Sequence, residues 1–182
     1  MSRFLLHELL VDSGEVRSCR EAGLLRASAI GSCVVVTAHD QLAAAGGMAH
    51  VMLPGEFHSM IPSAKTRYAS NAVHELLQQM FRLGAEQSRM TVCLVGGANV
   101  LGDGYSSPGP EIVHSLVALF AARGITPVAM DIGGQHRRSC ILDVATGCVY
   151  YTLGDSTELL LWNNACHCSL QENLRLYGEL AA

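Results

Sequence analysis

Aromatic residues are scarce in this chain, at 5%, and so are charged ones, at 15%. The first scarcity means that a core has to be assembled from Leu, Val, Ala, Met and Ile. The second, set against 49% hydrophobic residues, excludes a disordered chain. A basic surplus is missing as well. Twelve Lys and Arg against sixteen Asp and Glu leave a net charge of −4 and a pI near 6.0, which gives no footprint for nucleic acid. Mean hydropathy is positive, +0.26, yet His and acidic residues interrupt every apolar run before it could span a bilayer. No direct membrane insertion is expected. Met1 to Leu6 is broken by His7 and Glu8, a poor export signal.

Regular cysteine spacing is also lacking. The seven cysteines, at 19, 33, 93, 140, 148, 166 and 168, are odd in number and irregularly placed. Without an export signal they read as reduced thiols of a cytoplasmic protein. Cys93 and Cys140 fall in apolar strand patterns and suit an inert core role. At 182 residues the expectation is a single domain with a substantial core.

Cys33 differs from the other thiols. It follows Gly31-Ser32 and heads the apolar run Val34-Val35-Val36, while His50 lies seventeen residues on, after the small-residue run Ala43 to Ala49. His39-Asp40-Gln41 is a turn signal between them, so the segment reads as a β-hairpin carrying a cysteine on one strand and a histidine on the other. Pairing of 38 with 43 makes His50 a diagonal same-face neighbour of Cys33, and pairing of 39 with 44 sets the two directly opposite. A loop of odd length puts them on opposite faces unless a bulge intervenes. A thiol beside a histidine is a strong nucleophile, because the thiolate is the reactive form. The plainer reading, a core cysteine plus a strand histidine, fits the same spacing.

Beyond the hairpin, Leu24 to Ile30 reads as a strand, and Pro54-Gly55 ends the return strand from about Ala44 to Leu53. Residues 55 to 63, with His58 and Pro62, read as a loop. From about Lys65 to Leu83, Ala69, Ala72, Val73, Leu76, Leu77, Met80 and Phe81 form one face of an amphipathic helix. His74 sits on its polar side. Thr91 to Val95 is a strand ending at Gly96-Gly97, and a Gly/Ser-rich loop leads to Pro110 in the first turn of a second helix. His114 lies beside that helix's apolar stripe. Ile125 to Met130, Cys140 to Val144 and Cys148 to Thr152 read as strands, the last two joined in a hairpin at Ala145-Thr146-Gly147. The order predicts an α+β fold of mixed sheets in layers with flanking helices. Residues 1–154 form the expected domain. Residues 155–182 are expected to be a C-terminal extension packed on it, with no role assigned. Its Cys166-His167-Cys168 triplet lacks a second ligand group at suitable spacing, so neither a metal nor a cofactor is expected.

Taken together, Gly31-Ser32-Cys33-Val34, Gly46-Gly47-Met48-Ala49-His50, Met52-Leu53-Pro54, Arg67-Tyr68-Ala69, Gly84-Ala85, Gly96-Gly97-Ala98 and Asp131-Ile132-Gly133-Gly134 resemble the chemoreceptor glutamine deamidase family (CheD) in order and spacing, over about residues 20 to 150. The resemblance implies a protein-glutamine glutaminase: cysteine-dependent hydrolysis of receptor glutamine side chains to glutamate and ammonia. Methyl-accepting chemotaxis receptors are the implied partners, with a CheC-type phosphatase as a further one. On this reading Cys33 attacks the amide, and His50 holds the thiolate as an ion pair and protonates the leaving ammonia. The backbone N–H groups of Ser32 and Cys33 would hold the oxyanion. The family also places a threonine a few residues before the cysteine. Ser28 has the only hydroxyl in that stretch and takes the role of orienting His50. If the position is Ala27, the pair lacks a third member. Gln135, His136, Arg137, Arg138, Pro110 and Glu111 depart from the family pattern on loops expected to face substrate. The alternative is a non-catalytic adaptor that binds receptors or a CheC-type phosphatase.

Overall fold

The structure, a computed structural model, describes residues 8–57, 66–102 and 107–164. His58, Pro62 and the Cys166-His167-Cys168 triplet lie outside the described residues, as does the helix pattern from Leu170 to Leu180. Among the described residues ten strands and two α-helices follow in order: β1 Glu8–Leu10, β2 Val16–Arg20, β3 Leu24–Ile30, β4 Val34–Asp40, β5 Ala45–Val51, α1 Ala69–Arg82, β6 Thr91–Gly96, α2 Gly109–Ala121, β7 Ala129–Ile132, β8 Arg138–Asp143, β9 Cys148–Leu153 and β10 Leu159–Trp162. They make two five-stranded mixed sheets, ordered β1-β3-β8-β9-β10 and β2-β5-β4-β6-β7. Only β1 with β3 and β6 with β7 run parallel.

Residue alternation on the second sheet sorts its side chains into two cores. Val34, Val36, Ala49, Val51 and Leu94 point toward the helices and pack with Leu76, Met80, Ile112, Leu116 and Phe120. Val35, Met48, Cys93 and Val95 point the other way and pack with Leu25, Ala27, Cys140 and Leu142 of the first sheet. The molecule is therefore layered helix–sheet–sheet, and β4 and β5 are buried along their whole length. A strand covered on both faces loses the polar alternation of a half-exposed one, which is why both read as runs of apolar and small residues. Gly46 and Gly47 serve this double coverage. A Cβ on Gly46 would sit 2.7 Å from Val144 Cγ2 of the first sheet, and one on Gly47 2.7 Å from Leu76 Cδ1 of α1.

The apolar face read for the first helix is buried from Ala69 to Met80, whereas Phe81 is half exposed. Strand β7 begins at Ala129 rather than Ile125. The hairpin turn also differs from its sequence signal. His39 and Asp40 end strand β4 and are buried, and Asp40 pairs with Ala45 across a loop of residues 41–44. Their polar groups are satisfied both by the adjoining loop and by distant parts of the chain. His39 Nε2 meets the Val144 carbonyl at 3.0 Å, and its Nδ1 meets the Asn164 amide at 2.9 Å. The Asp40 carboxylate accepts the N–H groups of Leu42, Ala43 and Glu86 and pairs with Arg89 at 2.8 Å.

Burial works to raise the Asp40 pKa, but the hydrogen bonds from Arg89, Glu86 and Ala43 outweigh it and hold the carboxyl below its ordinary 3.8. A depressed carboxylate contributes stability that is complete above the ordinary value and is lost as pH falls through the lowered one. Asp40→Ala strands several buried donors and is expected to cost about 3–5 kcal/mol in chemical denaturation at neutral pH. The penalty should shrink as pH falls below 3.8. A penalty below about 1 kcal/mol would show that the hub holds nothing together.

Strand β10 lies past residue 154 and forms the edge of the first sheet by pairing with β9. No helix among the described residues is long and apolar enough to cross a membrane.

Candidate active site

Cys33 sits in the bend between β3 and β4, and His50 lies on β5, where it pairs across the ladder with Val35. The four-residue hairpin loop gives the even parity that puts residues 33, 35 and 50 on one side. That side is the layer between the two sheets. Val35 and Met48 belong to its core, and Cys33 packs against the same core, half buried. By register Cys33 is the diagonal neighbour of His50, displaced toward Met52. The expected face is thus found, with Ala38 opposite Gly47 and His39 opposite Gly46, four and two residues from the first and second expected pairings.

The bend carrying Cys33 is fixed by β6 and the turn after it. Gly97 N–H donates to the Cys33 carbonyl at 2.7 Å, and Ala98 N–H to the Gly31 carbonyl at 2.9 Å. Gly96 makes this approach possible. Its φ is +124°, and a Cβ there would collide with the Cys33 carbonyl oxygen. With their carbonyls occupied in this way, the bend's own amides stay available. Among the described residues, the Ser32 and Cys33 N–H groups donate to no backbone carbonyl.

His50 is 2% exposed. Its Nδ1 donates to the Val11 carbonyl at 3.2 Å, which leaves Nε2 as the basic nitrogen. Nε2 is buried and has no hydrogen-bond partner among the described residues. Burial pushes the Cys33 thiol above its ordinary pKa, with its own backbone N–H working the other way. Burial also lowers the His50 pKa, opposed by the Val11 carbonyl and the charge of Asp12. Both shifts favour uncharged forms. At rest the two groups are therefore a thiol and an imidazole on one inter-sheet layer, with no hydrogen bond from Nε2 among the described residues, in place of the expected ion pair, because burial penalises both charges.

Ser28 does not join them. It is exposed, at a bulge in the β3–β8 pairing between Ala27 and Ile30. The residue of that stretch that faces the inter-sheet layer is Ala27, fully buried and without a hydroxyl. The imidazole is oriented by the Val11 carbonyl, so the orienting role expected of Ser28 is corrected to a backbone atom. Ser28→Ala is expected to leave turnover within about twofold of wild type, as for a surface substitution. A tenfold loss in steady-state turnover would restore Ser28 to the site.

The family departures separate into two groups. Arg138 is buried and structural: it binds Asp131 at 2.5 Å and the Gly133 and His136 carbonyls at 2.8 and 3.1 Å. Arg137 is exposed and pairs with Asp155. Pro110, Glu111 and His114 line an open groove of about 500 Å³ with Pro54, Gly55 and Ser115. Neither Cys33 nor His50 lines that groove. Of the remaining thiols, Cys93 is pushed up to about 12 by burial, and Cys140 is raised further for the same reason, so both are inert.

Comparison with known proteins gives concordant matches. Residues 52–152 match the family model for CheD chemotactic sensory transduction, a span that begins just past His50. Over 155 residues the chain is 33% identical to the probable chemoreceptor glutamine deamidase CheD of Chlorobium luteolum, covering 85% of this chain and 77% of the relative. Over 138 residues it is 30% identical to the chemoreceptor glutamine deamidase CheD of Thermotoga maritima, covering 76% and 87%. It is 32% identical over 150 residues to the probable chemoreceptor glutamine deamidase CheD of Vibrio vulnificus, covering 78% and 69%.

Proposed function

Because the chain belongs to the CheD family, we propose that the glutamine deamidation for which its relatives are named is performed here by Cys33 and His50. The protein is a chemoreceptor glutamine deamidase, an amide hydrolase acting on protein-bound glutamine. The observation that carries the assignment of residues is the buried, unpartnered Nε2 of His50 on the layer where Cys33 packs.

Starting from the neutral pair, His50 Nε2 takes the thiol proton as the Cys33 sulfur attacks the amide carbonyl and a C–S bond forms. The N–H groups of Ser32 and Cys33 receive the oxyanion. The intermediate collapses by breaking the C–N bond, and the imidazolium gives its proton to the leaving nitrogen, which departs as ammonia. Water then attacks the thioester with His50 as base. The C–S bond breaks, glutamate is released and the thiol is restored. Burial suits this order of events. The charged forms appear only during reaction, when each is the other's partner.

Chemoreceptors are the macromolecular partners. The reading places the protein in the cytoplasm without membrane insertion, and the five described cysteines, all free thiols, support a reducing location. It also takes residues 1–154 as the deamidase domain with 155–182 packed on it, and the pairing of β10 with β9 supports that packing for residues 159–162. The adaptor reading, in which a receptor or a CheC-type phosphatase occupies the cleft without reaction, draws on one observation: Ala27 offers His50 no hydroxyl. Mass spectrometry of receptor fragments incubated with the protein separates the two. Deamidation adds about 1 Da per converted glutamine, the difference between an amide and an acid. Binding with no mass change would overturn the enzyme reading in favour of the adaptor.

A further inference from the structure

We propose that the turn Val11–Glu15 between β1 and β2 is the third component of the reacting pair, and that Asp12 within it is a positioning residue whose carboxylate stabilises the His50 imidazolium during turnover. The proposal rests on the assignment of Cys33 and His50 as that pair.

Three bonds tie His50 to this one turn. The His50 N–H donates to the Glu15 carbonyl at 2.9 Å, the Gly14 N–H donates to the His50 carbonyl at 2.8 Å, and Nδ1 donates to the Val11 carbonyl at 3.2 Å. Main chain and ring are therefore both held by a single five-residue segment. The turn is closed on itself in turn: Glu15 N–H donates to the Asp12 carbonyl at 2.9 Å, and Asp12 N–H to Glu15 Oε2 at 3.2 Å. It is also anchored from outside. The Thr66 hydroxyl donates to the Gly14 carbonyl at 2.6 Å, and Gly14, at φ +81°, lies so close to Arg67 that a Cβ would sit 2.7 Å from its Cγ. The turn that carries the Val11 carbonyl is therefore fixed relative to the His50 main chain, which sets the direction of the ring's one hydrogen bond.

A backbone carbonyl fixes the ring and its tautomer, but it carries no net charge to set against an imidazolium. Ala27 faces the layer with nothing to offer, and Ser28 faces outward. Asp12 of the turn is the charge that acts on His50; Glu15 meets it through its backbone carbonyl, Arg67 packs on Gly14 of the same turn, and Cys33 faces the same layer from the bend before β4. Glu15 is already paired with Arg17 at 2.9 Å. Asp12 follows directly on the residue that binds the ring, makes no ion pair among the described residues, and its charge favours the protonated imidazole. An exposed carboxylate can hold that post because it acts through field rather than contact.

The test uses the intact protein and reads Cys33 alkylation by iodoacetamide across pH, alongside kcat and KM on a receptor fragment. In wild type the alkylation rate falls on the acid side as His50 takes up a proton. Asp12→Asn should move the midpoint of that fall to lower pH by roughly half a unit, the screened effect of one nearby charge. It should also lower kcat about threefold or more with KM unchanged, because the lost stabilisation belongs to the transition state. Asp12→Glu should restore the midpoint. Molar salt should shrink the difference between wild type and Asp12→Asn. Unchanged thermal unfolding of both variants excludes a folding effect, which is expected for an exposed side chain. An Asp12→Asn midpoint equal to wild type overturns the role of Asp12. A wild-type profile with no acid-side fall overturns the pair itself and this assignment with it. Because alkylation needs no receptor, failure to deamidate a given fragment leaves the test standing.

Discussion

Cys33→Ala is expected to abolish receptor deamidation, with a loss on the order of 10⁴-fold or more, while thermal unfolding stays near that of wild type. Removal of a covalent nucleophile leaves only the donors and the binding surface, which do not by themselves form the thioester. Alanine fits the site sterically, since the Cys33 side chain is half buried and the bend is held through its carbonyl by Gly97 rather than through its sulfur. The readout is the mass of a co-incubated receptor fragment, which should remain unchanged with the variant and rise by about 1 Da per converted glutamine with wild type. Conversion at the wild-type rate would remove Cys33 from the chemistry. Cys93 and Cys140 make a natural control. Both thiols are held in their neutral form by burial, and conservative replacements there should affect stability without ending turnover.

The second large effect is expected of His50→Ala. The loss of a general acid and base that serves both halves of the reaction should lower turnover by about 10²–10⁴-fold. The pH dependence carries the sharper information. Burial lowers the His50 pKa from its ordinary 6.5, so in wild type the ring is a neutral base at pH 7. Cys33 is raised above 9.0, so without the base it reacts only as it ionises in alkali. Alkylation of the variant should therefore lose its neutral-pH component and keep only the alkaline one. An identical profile for wild type and His50→Ala would show that the two residues do not communicate. Stability should respond as well. The unfolded chain binds a proton at His50 more readily than the folded one, so wild type loses stability as pH falls below 6.5 and His50→Ala lacks that part of the decline.

Local pattern revealed the parts of the fold that rest on local rules. The hairpin of β4 and β5, the buried stripe of α1 and the turn joining β8 to β9 are legible from runs of apolar and small residues, helical spacing and turn chemistry. Where the reading slipped, the deciding contacts were far away in the chain. His39 and Asp40 carry the composition of a turn, yet Arg89, Glu86 and Val144 satisfy them inside the molecule, and nothing near them in sequence announces those partners. Strands β1 and β2 carry no clear signal because they are short and lie at sheet edges, where the exposed Arg17 and Arg20 of β2, three residues apart, break a two-residue period. At the site, the thiol and the imidazole were readable by spacing and by family resemblance. Their orienting partner was not. It is the carbonyl of Val11, a backbone atom that every residue type possesses. Ser28 carries the only hydroxyl on β3, and the bulge there turns it away from the layer.

Sheets covered on both faces have one more consequence for this protein. Cys33 and His50 hang from neighbouring strands that lie at the centre of the molecule, among the last parts of a fold to open. The cost in entropy of bringing nucleophile to base is thus met once, when the chain folds, and not again with each substrate. The catalytic lifetime of the enzyme is then the lifetime of its native state, and selection for a long-lived protein and for a competent one act here on the same residues.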